Sequence, residues 1–116
     1  MKHYQHRDPN TGTLLPVVVG ESAQENWDLI DQSENHHIWF HLDGRPSPHV
    51  IIQIPVKIKK KWLHRSMYKF AADLCKQHSR FSSEKNLAVI YTEIKYIKKV
   101  DPVGSVICRK TKTIYV

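Results

Sequence analysis

The sequence predicts an α+β fold, a single domain with a mostly antiparallel sheet and two main helices packed on it. The length of 116 residues is that of one domain. Two segments repeat apolar residues at the helical period, and six short β-branched or aromatic runs lie between turn residues. Their order along the chain, β-α-β-β-α-β-β-β, is typical of helices packed on an antiparallel sheet.

The first thirteen residues are interpreted as a flexible arm or turn that precedes a domain spanning residues 14–116. Residues 8–12 (DPNTG) have turn chemistry, because Pro fixes φ while Asn and Gly tolerate unusual dihedral angles. The β-branched run Leu14–Val19 is ended by Gly20 and predicts the first strand.

A capping box starts the first predicted helix. Ser22 can accept a hydrogen bond from the amide three residues on, and Glu25 at that position can reach back. Apolar residues at helical spacing continue the pattern to about Gln32. Together with Glu21 just before it, the segment carries four carboxylates and no Lys or Arg, so it holds much of the negative charge of the chain.

Two further strands are predicted on either side of a turn. The apolar run Ile38–Leu42 predicts one strand, and residues 43–48 (DGRPSP) are a cluster of turn residues. His49 opens the other strand, in which apolar and polar residues alternate as far as Ile58. Because Pro55 cannot donate a ladder hydrogen bond, this strand is expected to lie at an edge of the sheet or to bend there.

The second half of the chain predicts one helix and three strands. Trp62–His78 has the helical period, and Asn86–Ile94 has the pattern of a strand. Two short runs, Ser105–Arg109 and Thr113–Val116, are expected to form a hairpin around residues 110–112.

The net charge of +7 is unevenly distributed along the sequence. Residues 1–56 have a balance of −4, whereas residues 57–116 have a balance of +11. This asymmetry indicates a surface that faces a polyanion. Basic residues spaced along the second helix are either a rail for phosphates or an ordinary solvated face, and helix geometry alone favours the solvated face. Aromatic residues interleave with the basic segments, and Trp62 and Tyr96, each beside lysines, are the best candidates for stacking on bases.

Several classes of protein are excluded by the sequence. No apolar run approaches the ~20 residues that a membrane span needs. The polar N-terminus is unlike a signal peptide, and two cysteines outside a CxxC pattern are too few for a disulfide framework. Neither a Gly-rich phosphate loop nor a Ser-His-Asp or Cys-His signature is present. The expected protein is a cytoplasmic, non-enzymatic domain without a cofactor and without a membrane partner.

The densest polar cluster in the sequence is a group of histidines. Strand alternation puts His37 and His41 on the same face as Trp39, and the following turn can bring His41 near His49. Three imidazoles can bind zinc, but no Cys or carboxylate completes a known ligand spacing, so no metal site is expected. A metal-dependent enzyme centred on His37, His41 and His49 ranks third among the functional hypotheses.

A set of spaced motifs resembles a known family. The motifs are Gly20-x-x-Ala23-x-x-Asn26-x-x-Leu29, Ile38-Trp39-Phe40-His41 and Pro46-x-x-His49-Val50, followed by Lys95-x-Ile97-Lys98-Lys99, Gly104-x-Val106 and Thr113–Val116. In order and spacing they resemble the NFACT-R domain, the RNA-binding domain of the ribosome-associated quality-control and fibronectin-binding-like proteins. The resemblance covers about residues 14–116.

Four positions depart from the pattern of that family, and one of them is His37, which stands where an acid usually precedes the Ile-Trp pair. Glu21 stands where many members have a basic residue, and Ser22 stands where an asparagine follows. In the turn before His49, Ser47 replaces a flexible glycine, so the loop is expected to be stiffer and its RNA contacts to differ.

The resemblance implies a stand-alone domain that binds structured RNA, with tRNA or rRNA as the expected partner and links to the ribosome, ribosome quality control and translation. Phosphate contacts are expected from a basic set, Lys95, Lys98, Lys99, Arg65 and Lys69. A more selective patch is expected at the turn, from Trp39, His41, Arg45 and His49. The alternative hypothesis is a non-enzymatic adaptor that binds DNA or an acidic protein through its basic half.

Overall fold

In the computed structural model, which describes residues 1–116, eight strands and two helices follow one another along the chain. In chain order they are β1 (Lys2–Arg7), β2 (Leu14–Val19), α1 (Ala23–Gln32), β3 (Ile38–Leu42), β4 (Val50–Ile52), α2 (Arg65–Gln77), β5 (Ala88–Glu93), β6 (Ile97–Val100), β7 (Ser105–Cys108) and β8 (Lys112–Tyr115). Six strands form an antiparallel sheet in the order β1-β2-β4-β3-β5-β8, and β6 pairs with β7 in a separate hairpin. The predicted α+β fold is confirmed. Neither helix has the combined length and apolar character that spanning a membrane requires.

Both faces of the central sheet are buried, because successive side chains of a strand point to opposite faces. Phe40 and Ile52 belong to the core shared with α2, which covers one face. Trp39 and Ile51 belong to a second core on the other face, together with Leu29 of α1 and apolar residues of the β6–β7 hairpin. The sheet therefore lies between α2 and a layer made of α1 and the hairpin.

The docking of α1 depends on close approaches that only small residues permit. The side-chain oxygen of Asn26 accepts a hydrogen bond from the backbone N–H of His49 at 3.1 Å. A Cβ at Gly20 would lie 2.1 Å from that oxygen, so glycine is needed for Asn26 to reach its position. On the other side, a Cβ at Gly104, which has a φ of +90°, would lie 3.0 Å from the Cα of Ala23. These contacts hold α1 to β2, to β4 and to the β6–β7 turn.

The N-terminal segment differs from its prediction, because most of residues 1–13 belong to the edge strand β1 rather than to a flexible arm. The Tyr4 hydroxyl lies 2.8 Å from the Nε2 of His78, and the His6 ring stacks on Phe70 with centroids 4.4 Å apart. Rings of β1 thus pack on α2, although the segment has a polar composition. The main sheet therefore begins at Lys2, within the segment that was predicted to be an arm or a turn.

The predicted turn at residues 8–12 is present and is built around the buried carboxylate of Asp8. One oxygen accepts hydrogen bonds from the backbone and the hydroxyl of Thr11 at 2.8 and 2.6 Å. The other accepts the backbone N–H of His64, just before α2, at 2.7 Å. Burial tends to raise the pKa of Asp8, but these hydrogen bonds outweigh it and hold that pKa below its ordinary value. Asp8 therefore fastens the β1–β2 turn to the start of α2.

The strand after His49 was expected to lie at an edge or to bend at Pro55, and the edge position is wrong. β4 ends at Ile52 and lies between β2 and β3, so it is central. Pro55 falls beyond the strand, where its carbonyl accepts the N–H of Ile58 in a turn. A residue without an N–H cannot continue a ladder that has partners on both sides, so the central strand stops before Pro55.

The predicted C-terminal hairpin around residues 110–112 is also wrong. β7 pairs with β6, and β8 crosses to pair with β5 at the edge of the main sheet. The Thr92 hydroxyl of β5 hydrogen-bonds the carbonyl oxygens of Arg109 and Lys110, at 2.9 and 3.2 Å. These bonds fix the point at which the chain leaves one sheet for the other.

We expect Asp8→Ala to lower the free energy of unfolding by about 2 kcal/mol, because it leaves the partly buried N–H groups of Thr11 and His64 without a charged acceptor. Urea denaturation followed by circular dichroism measures the change. The matched control is Asp43→Ala, which removes an exposed carboxylate. A loss from Asp8→Ala no larger than that of the control would contradict this role for Asp8.

Candidate nucleic-acid interface

Three rings of the predicted selective patch meet under the β6–β7 hairpin. Trp39 and His41, two residues apart on β3, stack with centroids 5.6 Å apart and planes 7° apart. His49, just before β4, lies edge-on to both, with each centroid 5.3 Å away. Pairing of β3 with β4 places these alternate residues on the face opposite α2. The predicted approach of His41 to His49 is confirmed.

Burial keeps this ring cluster neutral and closes two of its three rings off from solvent. Trp39 and His49 are each 1% exposed, and His41 is half-buried. Burial, and secondarily the neighbouring His41, lowers the pKa of His49 to about 3. Burial also lowers the pKa of His41. Neutral imidazoles attract phosphate weakly, and the structure places Trp39 and His49 in the core rather than at a surface that RNA can touch.

A cavity of about 290 Å³ lies beside the cluster, between β3, β4 and the hairpin. It is lined by Trp39, His41, His49, Gly104, Val106 and Cys108, among others. Two buried polar atoms of the cluster, the Nε1 of Trp39 and the Nδ1 of His49, have no hydrogen-bond partner. Both atoms are closed off from solvent, so the cluster packs the layers together rather than presenting donors to a ligand.

The fourth residue of the predicted patch, Arg45, is at the surface but is already engaged. Its guanidinium pairs with Glu84 and lies over the Phe81 ring, 4.8 Å from the centroid. These contacts fasten the β3–β4 turn to the loop that follows α2. The predicted patch is thus divided between a buried cluster and a surface arginine that binds its own chain.

The predicted lysine segment lies on the layer formed by the hairpin. Lys98 is exposed and forms no ion pair. The Nζ of Lys95 lies 3.6 Å from Glu93, and the Nζ of Lys99 lies 2.6 Å from Asp31. Exposed ion pairs contribute ~0–1 kcal/mol. Lys95 and Lys99 can therefore exchange a carboxylate for a phosphate at small cost.

The other predicted phosphate residues lie on α2 and therefore on the opposite face of the sheet. Arg65 is exposed and forms no ion pair, whereas Lys69 pairs with Asp73 one turn away at 2.8 Å. The sheet separates these two side chains from the layer that carries Lys98 and Lys99. The structure therefore does not bring all five predicted phosphate residues onto one face.

The hypothesis of a metal site built from His37, His41 and His49 is wrong. The His37 ring lies 4.9 Å from His36 and accepts the N–H of Glu34, in the turn before β3. Ligand atoms of Glu34, His36 and His37 do lie within 4.8 Å of one another. However, the Nδ1 of His37 already accepts that backbone N–H, and the Nε2 of His36 hydrogen-bonds the carbonyl of Ile54. Two of the donors are thus engaged by the backbone.

Sequence reasoning missed a cleft at the end of the sheet where β5 finishes and β8 begins. We call it the lysine–tyrosine cleft; its volume is about 380 Å³. Its defining residues are Lys60, Lys61, Lys110 and Lys112 and the tyrosines Tyr68, Tyr91 and Tyr96. They come from segments up to fifty residues apart, so no local pattern marks the cleft. The only signal was the interleaving of aromatic and basic residues, which singled out Tyr96.

The charge of the lysine–tyrosine cleft is positive despite one carboxylate. Burial tends to raise the pKa of Glu93, but the hydrogen bond and charge of Lys60 and the charge of Lys95 outweigh it and lower that pKa. The two oxygens of Glu93 lie 2.5 Å from Lys60 and 3.6 Å from Lys95. Burial, with the nearby Tyr91, raises the pKa of Tyr68 to about 12, so its hydroxyl stays neutral. The other lysines of the cleft are left without an acidic partner.

Comparisons with known proteins found one sequence family and one similar fold. A sequence model described as the NFACT protein RNA binding domain matches residues 2–110. A solved structure, the C-terminal part of the fibronectin/fibrinogen-binding protein from Streptococcus suis, is similar in fold with a TM-score of 0.78 and 23% identity. The likeness covers 100% of this chain and 46% of that one, so the chain spans about half of its relative. No curated protein matches the chain.

The buried His49 predicts a stability that falls in mild acid. The unfolded chain takes up a proton on this imidazole below about pH 6.5, whereas the fold keeps it neutral, so acid favours unfolding. Between pH 7 and pH 5 the contribution of His49 to the free energy of unfolding should fall by about 2 kcal/mol. Denaturant titrations at both pH values measure it.

Replacement of the ring tests this assignment. His49→Phe keeps an aromatic ring without a titrating group, so its stability should change less between the two pH values. The exposed His3 of β1 provides the control, since His3→Gln should keep the pH dependence of the wild type. A pH dependence of His49→Phe equal to that of the wild type would show that another group is responsible.

Proposed function

The chain belongs to the NFACT RNA-binding domain family, and on that premise we propose that the RNA it binds is structured RNA, of the tRNA or rRNA class. The observation that carries the proposal is the large share of cations without an acidic partner. Of eighteen Lys and Arg, five lie within ion-pair distance of a carboxylate. The others are available to a polyanion, and structured RNA presents phosphates on several sides at once.

The lysine segment of β6 supports a specific phosphate-binding surface within that charge. Lys98 is free, and Lys99 is held by Asp31 while its Nζ lies 5.2 Å from the centroid of the Trp27 ring. Because the hairpin is fixed on α1, these ammonium groups have a defined spacing. Phosphates that fit the spacing displace counterions, which makes binding strongly dependent on salt.

A role in translation is part of the proposal. A domain of this family that binds tRNA or rRNA would act in the cytoplasm, on the ribosome or on its quality control. Its part would be non-enzymatic, since binding through phosphates requires no chemistry on the RNA.

We expect the triple variant Lys95→Ala, Lys98→Ala, Lys99→Ala to bind tRNA more weakly and with less dependence on salt. If all three lysines contact phosphates of a duplex region, the slope of log K against log salt should fall by about 2.7. Fluorescence anisotropy with labelled tRNA at several salt concentrations measures both quantities.

A matched triple variant controls for the loss of net charge. Lys2, Lys57 and Lys85 are exposed and form no ion pair, so their replacement by Ala should change the slope much less. Equal affinity of the wild type and the β6 variant for tRNA would remove this phosphate site. Equal affinity of the wild type for tRNA, duplex DNA and heparin would instead favour an adaptor that reads charge alone.

A further inference from the structure

We infer that the lysine–tyrosine cleft binds one unstacked nucleotide of the RNA, with the base against a tyrosine ring and the phosphate on neighbouring cations. The inference rests on the proposed function and adds a specific site to it. Such a site takes a nucleotide from a loop, a bulge or a strand end, because bases within a duplex do not expose their faces.

The size of the cleft suits a small ligand rather than a duplex. Its volume of about 380 Å³ is at the lower end of the range for pockets that bind small molecules. Tyr68 and Tyr91 form part of the wall, with ring centroids 5.1 Å apart and planes tilted by 49°. Aromatic walls beside cations are the combination that holds the base and the phosphate of a single-stranded nucleotide.

Three cations gather around one ring of the cleft. The charged groups of Lys95, Arg109 and Lys110 lie 5.3, 5.7 and 5.1 Å from the centroid of Tyr96. Lys95 alone has a carboxylate near it, Glu93 at 3.6 Å. Because all three charges lie near the same ring, an anion bound beside that ring is attracted by each of them. A nucleotide supplies both parts, because its phosphate is the anion and its base can stack on the Tyr96 ring.

The loop that carries two of these cations is fixed before any ligand arrives. The Thr92 hydroxyl hydrogen-bonds the carbonyls of Arg109 and Lys110, and the N–H of Arg109 donates to the carbonyl of Tyr96 at 3.2 Å. Lys110 has a φ of +55°, a left-handed conformation that is uncommon outside glycine. Side chains presented by a fixed backbone lose less entropy on binding, which favours a built site over a chance collection of lysines.

The charge balance within the cleft favours phosphate as the anion. Both oxygens of Glu93 face Lys60 and Lys95. Lys110 and Lys112, which also line the cleft, form no ion pair with a carboxylate. These two lysines, with Arg109 beside Tyr96, are therefore the cations available to a phosphate, and Tyr96 is the ring available to the base.

The test compares a short unstructured oligouridylate with a blunt RNA duplex, each fluorescently labelled, in titrations at several salt concentrations. Stacking on Tyr96 should contribute to the affinity of the wild type for the oligouridylate. Tyr96→Leu removes this stacking, so its affinity for the oligouridylate should be about ten-fold lower. The salt slope of Tyr96→Leu should stay that of the wild type, since no phosphate contact is lost. Its affinity for the duplex should also be unchanged.

The contribution of the cations is tested by a double variant whose new residues suit the backbone conformation at both positions. Lys110→Asn keeps a residue that tolerates positive φ, and Lys112→Thr keeps a residue suited to a strand. For the oligouridylate the slope of log K against log salt should fall by about 1.4, two single-strand phosphate contacts. The control, Lys2→Thr with Lys85→Asn, removes the same charge from exposed positions outside the cleft and should leave the slope near that of the wild type.

Tyr96→Phe separates loss of the ring from loss of the fold. It retains the stacking surface, so it should bind the oligouridylate with the affinity of the wild type. Wild-type affinity in Tyr96→Leu, or displacement of the oligouridylate by polyglutamate of the same charge, would overturn the nucleotide site while leaving RNA binding in place. Failure of the wild type to bind tRNA, duplex and oligouridylate alike would instead overturn the proposed function.

Discussion

The hydrogen bond from the backbone of His49 to the side chain of Asn26 fixes the layer on which the lysine-bearing hairpin rests. It joins α1 to the central strand β4, and Gly20 makes room for it. The β6–β7 hairpin packs on α1 as well as on the sheet. The Trp27 indole donates to the carbonyl of Ser105 at 2.9 Å, and Lys99 pairs with Asp31. The positions of the β6 lysines therefore depend on a bond between two residues of the first half of the sequence.

The same layering explains why the lysine–tyrosine cleft exists. Strands β3 and β4 bury both faces, so α2 covers one and α1 with the hairpin covers the other. Where β5 ends, neither α2 nor the layer of α1 and the hairpin covers the end of the sheet completely, and the cleft lies there. Lys60, just before α2, reaches Glu93 at the end of β5, and Tyr96, just before β6, lies on the other side. The cleft is the seam between the two layers, and its walls come from both.

Sequence patterns predicted the elements that depend on short-range alternation and periodicity. Both helices, the strand Ile38–Leu42 and the meeting of His41 with His49 follow from such patterns. β1 was missed because only its rings are buried, so its sequence has no apolar alternation. The prediction of a C-terminal hairpin was wrong because strands adjacent in sequence pair with each other only when the segment between them folds back as a tight turn. Here the hydroxyl of Thr92 holds the carbonyls of that segment instead.

Most of the motif residues that carry the family resemblance position the fold, whereas the Lys95-x-Ile97-Lys98-Lys99 motif carries cations of the proposed RNA surface. Gly20, Ala23, Asn26, His49 and Gly104 make the close approaches that position α1 and the hairpin, and none of them carries a charge. Ser22, which departs from the family pattern, also helps to form α1, because its hydroxyl caps the helix by accepting the N–H of Glu25 at 3.1 Å. The cations lie outside the core of the motif, where substitution leaves the packing intact. The close approaches that hold α1 and the hairpin do not involve the lysines and tyrosines at the seam between the layers, which are the residues that we propose determine the RNA specificity of this chain.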